Sequence, residues 1–235
     1  MEINTNGHAY VDLDLPSGTL WAKMNVGANK ETDAGLYFAW GETTGYTEGQ
    51  VGAYKRFTWG DYKHGNAKPF TKYDQDGKTI LEPADDAATV NMGGDWRMPT
   101  KKQCIELLKK TKNGFVTNKG VFTQYARSKT SGLSEPASKT IAISNWSAAG
   151  YLFFKKSYTS VTEAISANDY LFIPFVGYCG NGEVHDAEEC GVWSSSLDMD
   201  CACFAWDFHF DGYEAGVDEY GERLYGQSVR GVISK

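Results

Sequence analysis

Between Phe204 and Phe210 the chain alternates without a break. Phe204, Trp206, Phe208 and Phe210 are separated by Ala205, Asp207 and His209, and Asp211 continues the polar series. A period of two belongs to an extended strand, and it sorts four aromatic side chains onto one face and small, acidic and imidazole side chains onto the other. Such a strand is heavily anchored on one side and chemically busy on the other.

The charge around it is lopsided. Residues 183–222 hold twelve carboxylates and no Lys or Arg; Arg223 is the first basic residue beyond them, and the rest of the chain is net positive although the whole carries −7 at pH 7. A solubilising surface is one reading. A displayed recognition surface is the stronger one, because Trp193, Phe204, Trp206, Phe208, Phe210 and Tyr213 share the stretch, with Tyr220 and Tyr225 close behind. Tyrosine and carboxylate on turn-rich backbone supply rigid contact area and hydrogen-bond acceptors at modest entropic cost.

A chain of 235 residues buries roughly 70% of its unfolded surface, enough for one large domain or two small ones. Its 26 glycines and 14% aromatic content favour short strands and turns over long helices. An isoelectric point near 5.2 argues against nucleic acid or an anionic membrane as a general partner. No stretch approaches the ~20 apolar residues of a membrane span. The opening MEINTNGHAYVDLDLPSG lacks the basic and apolar segments of a signal peptide, which fits a cytoplasmic start or a leader already removed. Five cysteines leave at least one unpaired. Cys201 and Cys203 stand too close to pair comfortably with each other; a Cys179–Cys190 bridge suits an oxidising compartment, but free buried thiols are the stronger reading.

Along the chain, residues 10–15 alternate as a strand, Pro16-Ser17-Gly18 turns, residues 20–26 form a second strand, and 35–40 is a compact aromatic segment. Trp21, Tyr37, Phe38 and Trp40 read as core. Residues 46–83 are polar and without a sustained period, a connection long enough to be packed down or used, with one hairpin around 73–78. A short helix starts within 83–88 and is closed by Gly93-Gly94. The clearest helix is 101–112. Thr100 is a natural N-cap with Gln103 three residues later, Cys104, Leu107 and Leu108 share one face, and Asn113-Gly114 stops it. Strand-like pieces follow at 115–117, 121–125, 140–143, 151–154 and 170–175, with a Ser/Gly/Pro-rich surface loop at 128–139. GYCGNG (177–182) lacks the lysine and the setting of a phosphate loop and reads as a turn. Residues 227–232 form a last strand.

Six stretches in this order carry a resemblance: YVDLDLPSGTLWAKMNVGA (10–28), GLYFAWGET (35–43), GGDWRMPTKKQCIELL (93–108), YLFIPFVGY (170–178), GVWSSS (191–196) and GQSVRGV (226–232). Together they resemble gut Bacteroidetes proteins of the C-type lectin fold, in the branch shared with formylglycine-generating enzymes and the variable proteins of diversity-generating retroelements. The resemblance implies an α+β fold in one domain over 1–235: a twisted antiparallel sheet, two main helices and extensive loops, with N- and C-terminal strands near each other. It implies that Trp193-Ser194-Ser195 and Ser228-Val229-Arg230 frame a ligand-binding segment at 193–230, a frame that diversified relatives keep while residues inside it vary. Carried over position by position, the displayed residues would be Asp198, Asp200, Ala205, Asp207, His209, Asp211, Tyr213, Glu214, Asp218, Glu219 and Tyr220. Trp206, Phe208 and Phe210 would be scaffold, the same division that alternation gives for 205–211. Residues 116–166 depart from the shorter family pattern as an insertion.

The function so implied is a non-catalytic, receptor-binding or adhesin-like module of a cell surface or phage. It would present a variable, acidic and tyrosine-containing face to a protein or glycan on another cell or surface, with neither nucleic acid nor an inserted membrane as partner. The alternative is an enzyme on a formylglycine-generating-like scaffold, using cleft carboxylates or His209. A third reading, an assembly subunit of a surface appendage or phage tail, predicts obligate oligomers. Cys201 and Cys203 lack the context of the reactive cysteines of those enzymes, paired carboxylates arise by chance in so acidic a stretch, and no G-x-S-x-G elbow is present. Two thiolates and His209 fall short of a four-ligand metal site. Asp211, Gly216, Glu219 and Glu222 fit positions 1, 6, 9 and 12 of a calcium loop, but Tyr213 and Ala215 stand where it needs Asp or Asn. Glu135-Pro136-Ala137 lacks the amide of the Glu-Pro-Asn loop of sugar-binding lectins. No cofactor is expected, calcium being the one ion the acidic stretch invites.

Overall fold

The computed structural model describes residues 4–66, 68–127, 133–185, 188–212 and 215–235. It is an α+β protein in which antiparallel pairing dominates. Among the described residues one sheet runs, in spatial order, Asn4–Thr5, His8–Asp12, Thr19–Asn25 and Arg230–Ser234. A ten-stranded sheet runs Tyr37–Phe38, Gln227–Ser228, Cys190–Leu197, Phe204–Phe210, Ala215–Glu222, Leu133–Ala142, Val121–Arg127, Lys112–Val116, Gly150–Phe154 and Tyr170–Pro174. Its one parallel pair sets Val192 beside Ser228. A separate hairpin joins Tyr178–Gly180 to Glu183–His185. Its turn residues Asn181 and Gly182 both sit at positive φ, the two-residue geometry that Asn-Gly accommodates.

The strand expected over 227–232 is divided between the sheets. Ser228 pairs with Tyr37 and Val192 in the large sheet, while Arg230 pairs with Asn25 in the small one. The step falls on Val229, whose side chain is fully buried and whose carbonyl accepts from the Val26 amide at 2.8 Å.

Four α-helices lie among the described residues: Glu48–Tyr54, Ala87–Met92, Lys101–Lys110 and Val161–Ser166. One is long and three are short, where two main helices were expected. Lys101–Lys110 begins as its sequence dictates, with Thr100 and Gln103 exchanging side-chain-to-backbone hydrogen bonds and Cys104, Leu107 and Leu108 buried. It ends before Asn113-Gly114, because both belong to the strand Lys112–Val116. Gly114 serves close approach there: a Cβ would come within 2.2 Å of the Thr123 carbonyl on the neighbouring strand. Two short helices went unread although both carry a capping signature. Thr47 and Gln50 form a reciprocal box at one, and Ser160 accepts from the Glu163 amide at the other. The expected loop over 128–139 is also corrected: Leu133–Ala142 is a strand paired with Val121–Arg127, and 128–132 lie outside the described residues. In place of the hairpin expected around 73–78, the Asp76 carboxylate closes a turn by accepting from the Tyr73 and Lys78 amides.

The strand Phe204–Phe210 lies between two apolar cores. Phe208 and Phe210 join Cys190, Val192, Tyr151, Phe153 and the helix residues Leu107 and Leu108. Ala205 joins Trp193, Leu197, Trp40, Trp96 and Val229 in the other.

Candidate functional site

The alternation of the aromatic strand is real, but both of its faces are covered. Ala205 is completely buried beside Trp193 and Leu197, so it cannot meet a ligand. Asp207 is buried, and the Gln227 Nε2 donates to its carboxylate at 2.7 Å. Asp198 is buried as well, and its carboxylate accepts from the Asp200 amide at 2.9 Å. These three positions are corrected from displayed to internal. A period of two sorts side chains between faces without saying which face is wet, and here the second face carries Trp193 and its neighbours. Trp206, expected as scaffold, is in turn half-buried, with the Lys101 ammonium over its ring, 2.9 Å from the centroid.

The accessible acid lies at the two ends of the strand. At the Phe204 end, Asp200 is exposed and Met199 is 66% exposed in the turn from the preceding strand. At the Phe210 end, His209 and Asp211 are half-buried, Glu188 is exposed, and His209 Nε2 stands 3.9 Å from Glu189 Oε2. Seven strand residues separate these rims by about 20 Å. Asp218, Glu219 and Tyr220 belong to Ala215–Glu222, which pairs with the aromatic strand, Asp218 opposite Asp207. Tyr213 and Glu214 lie outside the described residues.

The expected frame is internal. Trp193 Nε1 donates to the Phe38 carbonyl at 2.8 Å, and Trp40 Nε1 donates to the Ser194 carbonyl at 2.9 Å. Arg230, fully buried, donates to the carbonyls of Ala22 and Phe172 at 3.1 Å each; burial lowers it to about 10. Arg230 thereby ties the small sheet to the large one at Phe172, while Trp193 and Trp40 tie the 37–40 segment to Cys190–Leu197.

Sequence reasoning missed an extensive buried polar site centred on Arg223. Arg223 is fully buried within reach of the rings of Trp40, Tyr62, Phe70 and Tyr73. Its Nε donates to the Tyr62 hydroxyl at 2.9 Å, and its terminal nitrogens donate to the carbonyls of Tyr73, Ala202 and Lys72 at 2.9–3.1 Å. Below it, Asp85 accepts from Lys63 Nζ at 2.6 Å, from the Tyr73 hydroxyl at 2.8 Å and from Lys72. Burial pushes the Asp85 carboxyl up, but these bonds outweigh it and hold it well below the usual carboxylate range. His64 is buried beside Tyr62 and Tyr73, and its Nε2–H donates to the Gly41 carbonyl at 3.2 Å. Burial lowers it to about 4. The available signal was the spacing of Asp61, Asp74 and Asp76 among turn residues, each a potential acceptor for nearby amides.

A depression of about 580 Å³ is lined by Ile80, Leu81, Trp96, Arg97, Gln103 and Ser195 among others; Ser195 belongs to the expected frame, and none of the residues expected to be displayed lines it. Its Asp86 carboxylate is occupied by the amides of Thr89 and Met98. Cys201 and Cys203 are joined in a disulfide, correcting the expectation that they stand too close to pair. The turn holds their Cα atoms 5.4 Å apart, inside the span that a disulfide bridges. Cys104, Cys179 and Cys190 are free and buried. Among the described residues no three His, Cys, Asp or Glu side chains gather to hold a metal ion, and no helix is long and apolar enough to cross a membrane. Comparison with protein families, curated proteins and solved structures found no match to this chain.

Proposed function

We propose that this chain is a non-catalytic ligand-binding module of C-type lectin-like fold, one domain over 1–235, related to the variable proteins of diversity-generating retroelements in Bacteroidetes. It binds a protein or glycan of another surface, as a receptor-binding or adhesin-like part of a cell surface or phage, and uses no cofactor. The observation that carries the reading is the rooting of the hairpin Cys190–Leu197 and Phe204–Phe210: packed on both faces, it holds rigid two accessible acidic rims, with Met199 and Asp200 at one end and His209 and Asp211 at the other. Rigid presentation of exposed acid and large side chains lowers the ordering cost of binding. The pairing of Thr19–Asn25 with Arg230–Ser234 and the buried Trp193 and Arg230 accord with the same family pattern.

The test is a glycan array and an extract of surface proteins probed with the intact chain and with a variant carrying Asp200→Ala, His209→Ala and Asp211→Ala. The expected result is ligand capture by the parent, loss of capture by the variant, and little change in thermal unfolding. Equal capture by both chains would move the binding surface elsewhere. The claim of diversification has its own test in codons 190–232 across a source population. Variation gathered at the rim positions with Trp193, Phe208 and Arg230 constant supports it, and a uniform segment removes it.

A further inference from the structure

We propose that the Cys201–Cys203 pair is a thiol–disulfide exchange site for a low-molecular-weight thiol, with Lys68 stabilising the thiolate that leaves on Cys201. Both cysteines are partly exposed at the turn between the strands Cys190–Leu197 and Phe204–Phe210. Lys68 Nζ lies 3.2 Å from Cys201 Sγ. The segment 183–222 has no Lys or Arg of its own, so this ammonium reaches the sulfur from a distant part of the chain. A cation at that distance favours the thiolate over the thiol, which makes Cys201 the better leaving group of the pair.

A structural role accounts poorly for this bond. It closes a loop across a single intervening residue, and so short a loop removes little entropy from the unfolded chain. The turn is held without it. Cys201 and Cys203 carbonyls accept from the amides of Phe204 and Arg223 at 2.9 and 3.0 Å, and the Ala202 carbonyl accepts from the Arg223 guanidinium at 2.9 Å. None of these three hydrogen bonds involves a sulfur atom, so opening the sulfur–sulfur bond removes no donor or acceptor from the turn. The other three thiols are sequestered: Cys104, Cys179 and Cys190 are fully buried, and burial pushes Cys179 and Cys190 up to about 12.

In the exchange, the thiolate of the small molecule attacks Cys203 Sγ. A mixed disulfide forms on Cys203 as the Cys201–Cys203 bond breaks, and the electron pair departs on Cys201 Sγ opposite Lys68. A second small thiolate attacks the small-molecule sulfur of the mixed disulfide and releases the Cys203 thiolate. Two small thiols are thereby oxidised to one disulfide, and the protein pair is reduced to two thiols that take up the two protons given off by the small thiols. The proposal stands apart from the binding reading above and requires no ligand on the acidic rims.

The test treats the oxidised, native chain with glutathione, quenches with a maleimide, and follows additions by intact mass and peptide mapping. The expected result is no addition before treatment and two afterwards, on Cys201 and Cys203. Lys68→Met should slow the reduction about five-fold and Lys68→Arg restore it. A variant with Cys201→Ser and Cys203→Ser should take up no label and unfold at the same temperature as the parent. A native pair that resists glutathione, earlier labelling at Cys104, Cys179 or Cys190, or a Lys68→Met chain that reduces at the parental rate would each overturn the proposal.

Discussion

The described parts of residues 112–174 and of residues 46–85 are held in place by different physics. In the first region backbone amides pair strand to strand, from Val121–Arg127 through Lys112–Val116 and Gly150–Phe154 to Tyr170–Pro174, and Tyr151, Leu152, Phe153 and Phe154 are all buried. In the second, side chains largely take over from the ladder. Asp61 accepts from the Thr58 amide, Asp74 from Phe70, Asp76 from Tyr73 and Lys78, and Glu42 from Lys63, while Arg223 supplies three carbonyls. A ladder spreads its hydrogen bonds over many residues whose side chains are free to vary. A knot concentrates them in a few, and losing one strands several buried partners at once.

The largest expected effect breaks the knot at its centre. Arg223→Met leaves the Tyr62 hydroxyl and three carbonyls without their donor and should cost about 5 kcal/mol or more in denaturant unfolding. Limited proteolysis should then cut first within 56–85; cleavage first within 112–174 would show that the two regions are not held separately. Phe208→Ala removes a fully buried ring from the ladder side and should cost about 4 kcal/mol, with protection lost across the sheet together. A cost below about 1 kcal/mol would show that Phe208 is not core.

Acid separates the regions next. His64 ordinarily titrates at 6.5 and in the fold at about 4. Between these values the unfolded chain binds the proton and the folded one does not, so stability falls as pH is lowered through that window, by about 3 kcal/mol at its foot. Asp85, held below its ordinary value, acts in the same direction further down: its stabilisation is present above the usual carboxylate range and lost as pH drops through it. His64→Gln should flatten the upper part of the profile. An unchanged slope between neutral pH and pH 4 would assign the acid sensitivity elsewhere.

The acidic segment repeats the contrast on a smaller scale. Asp207→Ala strands the Gln227 amide and should cost about 2 kcal/mol, whereas Asp200→Ala at the exposed turn should stay within about 0.5 kcal/mol. Equal costs at both positions would erase the distinction between internal and rim acid.

What was legible in the chain follows the same division. The helix Lys101–Lys110 was plain because Thr100, Gln103 and the Cys104–Leu107–Leu108 face all act within one or two turns. The strands around Tyr151 and Leu171 announced themselves by apolar runs. Thr47-x-x-Gln50 and Ser160-x-x-Glu163 carried the same capping signal but sat in polar surroundings that masked it. Arg223 gives no such signal: three of its four acceptors are the backbone carbonyls of Lys72, Tyr73 and Ala202, which no side-chain pattern marks, and the fourth, the Tyr62 hydroxyl, is 161 residues away in the chain. Alternation puts Ala205 and Asp207 on the correct face of the strand, but neither it nor the local acidity says what covers that face. Asp207 is acidic and internal because Gln227 meets it.

The crossing at Val229 has a consequence for how the molecule assembles in time. Leu20 waits for Ile233 and Phe38 waits for Gln227, so each sheet keeps an unfilled edge until one short stretch arrives, and that stretch completes both. Contacts so distant in sequence form late and slowly. During synthesis the chain must therefore carry two incomplete sheets at once, each able to capture a stray strand, until one stretch supplies the missing strand of both.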